Sequence, residues 1–186
     1  MIKLGTKELD TSRLILRKFR NIDYIAMFNN WAKLEECTKY FPWNPATDIE
    51  MIKIRVESWV SNYEDLFFQW GIELKETQEL VGAINLHNVD ATCNSAETSY
   101  ILAPKYWNNG FMTEALSRVL KYAFKELELN RVCADYFLPN EASARVLKKN
   151  HMSYEGTSRE KYYKNGEYID SVQYAILKSD WLKSNN

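Results

Sequence analysis

Residues Glu97 to Leu127 read ETSYILAPKYWNNGFMTEALSRVLKYAFKEL, and the period of the apolar residues changes inside this stretch. Glu97 to Ala103 reads as a strand ended by Pro104. Between Asn109 and Leu127 the apolar residues Leu116, Val119, Leu120, Ala123, Phe124 and Leu127 recur at helical spacing. The order is therefore strand, tight turn, helix. A helix entered this way presents unpaired backbone N–H groups, and its dipole favours an anion there. Gly110 lets a phosphate approach the backbone with no Cβ in the way, Thr113 could add a hydroxyl, and Glu114 suits the dipole with or without a ligand. Any strand–turn–helix offers such amides, so this segment alone names no ligand.

Upstream, Ser12 to Lys18 reads as a first strand around Leu14, Ile15 and Leu16. Asn21 is expected to cap a helix with Asp23 in its first turn, the segment running to about Trp31. Cys37 to Ala46, with Pro42, Pro45 and the aromatics Tyr40, Phe41 and Trp43, reads as a connecting loop. Thr47-Asp48-Ile49-Glu50 has the form of a capping box, and Ile49, Ile52, Val56, Trp59 and Val60 give the helix after it one apolar face. Phe68, Trp70, Ile72 and Leu74 then alternate with Gln69, Gly71 and Glu73, and Leu80 to His87 returns as the second strand of an antiparallel hairpin. Downstream, Val132, Ala134, Tyr136 and Leu138 alternate as a strand closed by Pro139, and Asn140 caps a helix to about Asn150. Asn165-Gly166 suits a type I′ turn between two final strands. With no repeat or linker, the pattern is one α+β domain spanning residues 1–186, with a mostly antiparallel sheet.

The composition limits the partners. Of the 186 residues, 24 are Lys or Arg and 25 Asp or Glu, a net charge of −1 that argues against nucleic acid or an anionic membrane as the main partner. The longest apolar run is Tyr24 to Phe28, far short of a membrane span, and Met1 to Arg17 lacks the apolar stretch of a secretory signal. Cys37, Cys93 and Cys133 are odd in number and widely spaced, which allows no disulfide framework or CxxC metal pair and suits a cytoplasmic protein. Cys133 reads as a small core residue. The six glycines form no Rossmann, Walker or nucleophile-elbow motif, and two histidines without HExxH give no zinc hydrolase, so no metal is expected. Six tryptophans and twelve tyrosines could supply a homodimer interface.

A second strand–helix junction begins at Asn140, with Ser143 in the first turn. By itself it is an ordinary cap followed by a neutral residue. Taken together, Trp107 to Ala115 (WNNGFMTEA), Asn140-x-x-Ser143-x-Arg145-Val146-Leu147 and Tyr154-Glu155-Gly156 resemble the GNAT superfamily of acyl-CoA-dependent N-acetyltransferases. Within it the sequence looks like the RimJ/RimL-like branch of ribosomal-protein N-terminal acetyltransferases. Arg13-Leu14-Ile15-Leu16-Arg17, Ala96-Glu97-x-x-Tyr100 and Asn165-Gly166-x-x-x-Asp170 extend the resemblance over residues 10–181.

The resemblance implies a three-layer α/β/α fold whose mixed, mostly antiparallel sheet is splayed between two central parallel strands, here Glu97 to Ala103 and Arg131 to Leu138. Acetyl-CoA would lie in the gap. Backbone groups near Ile101 and Leu102 would pair with the pantetheine, and amides of Trp107, Asn108, Asn109, Gly110, Phe111 and Met112, with Thr113 beside them, would hold the pyrophosphate. Asn140 would touch the pantetheine arm, and Ser143 would hydrogen-bond the sulfur or protonate the leaving thiolate. The reaction is direct attack of an amine on a thioester. An alkyl amine with pKa ~10 is mostly protonated at neutral pH, so a base is required. Glu97 occupies the position from which some members use a glutamate, His87 is a second candidate, and His151 falls in a helix C-terminal turn.

Several residues depart from the family pattern. Trp107 and Met112 stand where Arg or Gln and Gly or Ala are usual, and Asn108 replaces a common glycine. Leu147 replaces a tyrosine acid, which moves that role to Ser143 or solvent, and His151-Met152 replaces a frequent Gly-Phe pair. Two acceptors fit: a protein N-terminus or a small amine, the latter favoured by an acidic lining if it is a polycation. The competing class is a catalytically idle acyl-CoA-binding sensor or docking module.

Overall fold

The alternating segments assemble into one eight-stranded sheet of order β1-β2-β3-β4-β5-β6-β8-β7. The strands are β1 (Leu9–Asp10), β2 (Leu14–Arg17), β3 (Phe68–Leu74), β4 (Leu80–Asp90), β5 (Ser95–Leu102), β6 (Arg131–Phe137), β7 (Ser153–Lys164) and β8 (Glu167–Leu177). The helices are α1 (Asp23–Met27, continued by a π-turn at Phe28–Ala32), α2 (Glu35–Thr38), α3 (Ile49–Ser61), α4 (Phe111–Lys125), α5 (Glu141–Lys149) and α6 (Lys178–Ser184). This computed structural model describes residues 4–64 and 67–184; the first three residues of the Met1–Arg17 stretch lie outside them.

Two apolar clusters, one on each face of the sheet, make three layers. On one face Leu14, Leu16, Trp70, Ile72, Ile84 and Val132 pack against Leu116, Val119, Leu120 and Ala123 of α4, with Leu147 of α5 and Trp181 of α6 beside them. On the other, Phe19 and Ala83 meet Met27, Trp31, Ile52 and Val56 from α1, its π-turn and α3. Every strand pairing is antiparallel except that of β5 with β6.

Local details differ from the sequence reading. Ile22, not Asn21, precedes α1, and Asp23 answers a buried cation rather than the helix dipole. The Arg17 guanidinium donates to Asp23 Oδ2 at 2.7 Å and to Glu73 Oε2 at 2.6 Å, all three side chains being buried. The polar face expected for β3 is therefore enclosed. The cap of α3 is Asp48, which accepts from the Glu50 N–H at 2.9 Å, so Thr47 forms no capping box. Within the expected Cys37–Ala46 loop, Cys37 and Thr38 belong to α2. Cys133 is half-buried rather than a core residue, its Sγ near the Ala96 carbonyl. Asn140 caps α5 as expected, accepting from the Ser143 N–H, and Asn165 and Gly166 both take positive φ, as a type I′ turn requires.

The decisive feature is how briefly the two parallel strands pair. Only Ser95↔Arg131, Ala96↔Val132 and Glu97↔Cys133 are in register, and beyond them β5 and β6 part. Each strand keeps its outer neighbour: β5 stays on β4 as far as Gly82↔Leu102, and β6 stays on β8 along its whole length. Gly82 makes the first of these possible. A Cβ there would lie 2.4 Å from the Ile101 carbonyl oxygen and 3.2 Å from Leu102 Cα, and neither backbone atom can rotate away. Gly82→Ala is expected to destabilise the protein by about 1–3 kcal/mol, as overpacking does, in a denaturant titration of the purified variant.

Candidate active site

Where β5 and β6 separate, a cavity of 760 Å³ opens, walled by the far ends of both strands, the N-termini of α4 and α5, and the loop after α2. The period of two sorts the strand side chains between its sides. Asn85 and His87 of β4, Glu97 and Ser99 of β5 and Asp135 of β6 share the face of α1 and α3. Tyr100 and Tyr136 pack on the α4 side.

The α4 side is built around a bare helix N-terminus. Gly110, at φ 78°, turns the chain into α4. The Trp107 N–H is spent on the Pro104 carbonyl, but among the described residues the N–H groups of Asn108, Asn109, Gly110, Phe111, Met112 and Thr113 find no acceptor in the chain. A row of this kind is suited to an anion. Trp107, Asn108, Gly110, Phe111, Met112 and Thr113 line the cavity, whereas Asn109 turns its side chain back to the Trp107 carbonyl at 3.0 Å.

Arg13, present in the sequence only as part of a strand motif, holds this turn. It donates to the Asn109 carbonyl at 3.1 Å and to Glu114 Oε2 at 2.7 Å, and its guanidinium lies 4.4 Å from the Phe111 ring centre. Glu114 also accepts from the Arg13 N–H and from Ser12. Partial burial opposes its ionisation, yet hydrogen bonds from Thr11, Arg13 and Ser12 bring its carboxyl down to about 2. Asn150 closes the other side, donating to the Thr113 carbonyl at 3.2 Å.

Along the gap, Ile101 and Leu102 play different parts. The Ala103 N–H donates to the Val81 carbonyl, so alternation points the backbone of Ile101 toward β4 and that of Leu102 and Tyr100 into the gap. The Ile101 backbone is thus not free to pair with a ligand, and the Leu102 carbonyl already accepts from Trp107 Nε1 at 2.7 Å. Asn140 and Ser143 both line the cavity, and the Ser143 hydroxyl lies 2.8 Å from that of Tyr100.

Glu97 and His87 face each other across β4 and β5, His87 Nε2 lying 3.5 Å from Glu97 Oε2. His87 lines the cavity and Glu97 does not, because Glu97 sits at the last paired register before the gap opens. His87 Nδ1 is 3.1 Å from Asn85 Oδ1, so the ring is held at both nitrogens, by Asn85 at Nδ1 and by Glu97 at Nε2. Cys37 also lines the cavity, but burial pushes its thiol up to about 12, which makes it no nucleophile. Leu147 is in the core and His151 lies beyond α5 at φ 58°, the left-handed position a glycine would otherwise fill.

The opposite wall is the aromatic loop of Tyr40, Phe41 and Trp43, with Phe41 stacked on Trp43 at 4.2 Å. It is fastened from 121 to 126 residues away. Lys164, at the end of β7, donates to the carbonyls of Thr38, Phe41 and Trp43 at 2.7, 2.8 and 3.0 Å, and its desolvation lowers its pKa. No sequence signal marked Lys164, since a lysine beside a hairpin turn reads as solvated surface.

Residues 13–153 match the acetyltransferase (GNAT) domain family. The chain belongs to the GNAT family. It is 36% identical over 171 residues to the uncharacterized N-acetyltransferase YoaA of Bacillus subtilis, covering 91% of this chain and 96% of that one. It is 23% identical over 182 residues to the ribosomal protein uS5-alanine N-acetyltransferase of Escherichia coli, covering 93% and 92%. The Vibrio cholerae spermidine N-acetyltransferase, solved in complex with CoA and spermine, shares the fold with a TM-score of 0.81 at 22% identity, over 92% of this chain and 99% of that one. Of the function classes left open by the sequence, these support the N-acetyltransferase over the idle acyl-CoA module. Among the described residues no group of side chains could hold a metal ion, and no helix is long and apolar enough to cross a membrane.

Because the folded-state pKa of Glu114 lies below its unfolded value, its bonds contribute fully above pH 4.5 and are lost as the pH falls toward 2. Glu114→Gln is expected to cost about 1–2 kcal/mol at pH 7, the bonds being partly screened. The difference from wild type should shrink over that acid range in thermal unfolding followed against pH.

Proposed function

We propose that the protein is a cytoplasmic enzyme that transfers the acetyl group of acetyl-CoA to the α-amino group of a protein or peptide N-terminus. The observation that carries the choice of acceptor is the charge of the cavity wall. Glu36, Asp135 and Glu141 are matched by Lys39, Arg145 and Lys149, and Asp135 is further paired with Lys161 at 2.7 Å. A polycation would need a surplus of carboxylates. A single amine on a peptide needs none, and the aromatic loop offers apolar contact for the residues after it.

Each remaining role follows from placement. The free N–H groups from Asn108 to Thr113 would hold the pyrophosphate, with Arg145 and Lys149 adding positive charge at α5. The pantetheine would run along the gap edges of Tyr100 and Leu102, past Asn140, and its sulfur would end beside Ser143. The His87–Glu97 pair takes up the amine proton, directly or through water, and the carboxylate beside Nε2 stabilises the imidazolium.

Initial rates with acetyl-CoA, read as release of free thiol, test the choice. Short peptides with a free N-terminus are expected to give kcat/KM at least about tenfold above spermidine and spermine; the reverse order would make the protein a small-amine acetyltransferase. Lys164→Met is expected to raise KM for the peptide about tenfold while leaving the affinity for acetyl-CoA, measured by calorimetry, unchanged.

A further inference from the structure

Tyr100 lies on the α5 side of the gap, and its hydroxyl meets the group placed beside the sulfur. Its single proton has two acceptors within reach, Ser143 Oγ at 2.8 Å and the Ser143 carbonyl at 3.3 Å. Distance alone leaves either hydroxyl as the donor, but a phenol is the more acidic of the two and the better donor, which makes Oγ the acceptor; a serine that accepts from Tyr100 must send its own proton elsewhere. The Ser143 N–H is bonded to Asn140 Oδ1 at 3.2 Å, which fixes the serine backbone as well. What is left is a hydroxyl hydrogen free to point into the cavity that Ser143 and Tyr100 both line.

We infer that Tyr100 is a positioning residue, which acts through Ser143 by turning the serine hydroxyl into a fixed hydrogen-bond donor to the departing sulfur. This rests on the reading of the cavity as the acetyl-CoA site. Burial pushes the Tyr100 phenol well above its ordinary range, so it keeps its proton throughout. Serine keeps its proton too, because an aliphatic hydroxyl is a far weaker acid than a thiol. The amine nitrogen forms its bond to the thioester carbon, and the C–S bond breaks with its electron pair on sulfur. The surplus N–H proton leaves through the base to water, and the sulfur is protonated from water. Ser143 therefore stabilises the thiolate without becoming an alkoxide, and Tyr100 ensures that its donor faces the right way. Neither effect needs the tyrosine at position 147 that this chain lacks.

The test uses the purified protein with CoA and needs no acceptor. The ultraviolet absorbance of the thiolate reports the pKa of the bound CoA thiol. Tyr100→Phe is expected to raise it by about one unit, tenfold in the thiolate population. Ser143→Ala should raise it at least as much, and the double variant no further than Ser143→Ala alone. With a peptide acceptor, Tyr100→Phe should lower kcat about tenfold and leave KM for acetyl-CoA unchanged. A bound-thiol pKa that Ser143→Ala moves and Tyr100→Phe does not would overturn the inference, as would additive shifts in the double variant. Failure of the wild-type protein to bind CoA would instead overturn the reading of the cavity, and the inference with it.

Discussion

The separation of β5 from β6 after three paired residues is the constraint on which the rest of the protein depends. A parallel pair that zipped to its end would leave a closed sheet and no cavity. The outer neighbours prevent this, since β5 is held to β4 through Gly82 and β6 to β8 along all of its length. Parting leaves backbone N–H and C=O groups of Tyr100 and Leu102 without a strand partner, and buried backbone groups seldom go unpaired. Trp107 satisfies one of them through its indole, and an extended ligand arm can satisfy the others. This turns an unusual residue of the turn into part of the site: the indole closes what a neighbouring strand would have closed.

Two cations, Arg13 and Lys164, then hold the edges of the cavity, each bonding to residues far away in the chain, and a third, Arg17, braces the sheet away from it. Arg13 fixes the turn before α4 from the residue just ahead of β2. Lys164 pins the aromatic loop from the last hairpin. Arg17 ties β2, α1 and β3 together inside the second core. All three work through hydrogen bonds between a charged donor and carbonyl or carboxylate oxygens, the stronger class of such bonds. The site consequently sits on loops whose shapes are set from outside themselves. That arrangement lets the loops change in sequence, as Trp107, Asn108 and Met112 have, while the backbone amides stay in place.

In the proposed reaction the chemistry is divided between the two faces of the splayed sheet. The side facing α4 and α5 presents bare amides, two basic residues and the paired hydroxyls of Tyr100 and Ser143. The side facing α1 and α3 presents His87 backed by Glu97, and the aromatic loop. A thioester lying in the gap is reached from both, so the attacking amine and the leaving sulfur meet different environments. Leu147 is buried in the core, so under the proposed reaction the hydroxyls of β5 and α5 serve the leaving-group side.

The sequence by itself determined the elements and their order, because period and punctuation are local. The alternation around Trp70 and Ile72, the helical spacing from Leu116 to Leu127, the glycine before α4 and the cap at Asn140 each depend only on near neighbours. The ordered motifs carried the family as well, and with it the three layers. Tertiary structure alone decided which groups face the cavity. Glu97 and His87 are ten residues apart and equivalent by type, yet the point where the strands part puts His87 at the wall and Glu97 behind it. Asp23 reads as a dipole partner, but the fold sets it against the buried Arg17 guanidinium, which Glu73 shares. Arg13, Lys164 and Tyr100 gave no signal of their roles, since each acts on a partner between 43 and 126 residues distant. Long-range pairing of charges and hydroxyls follows from how the layers pack, and no local period records it.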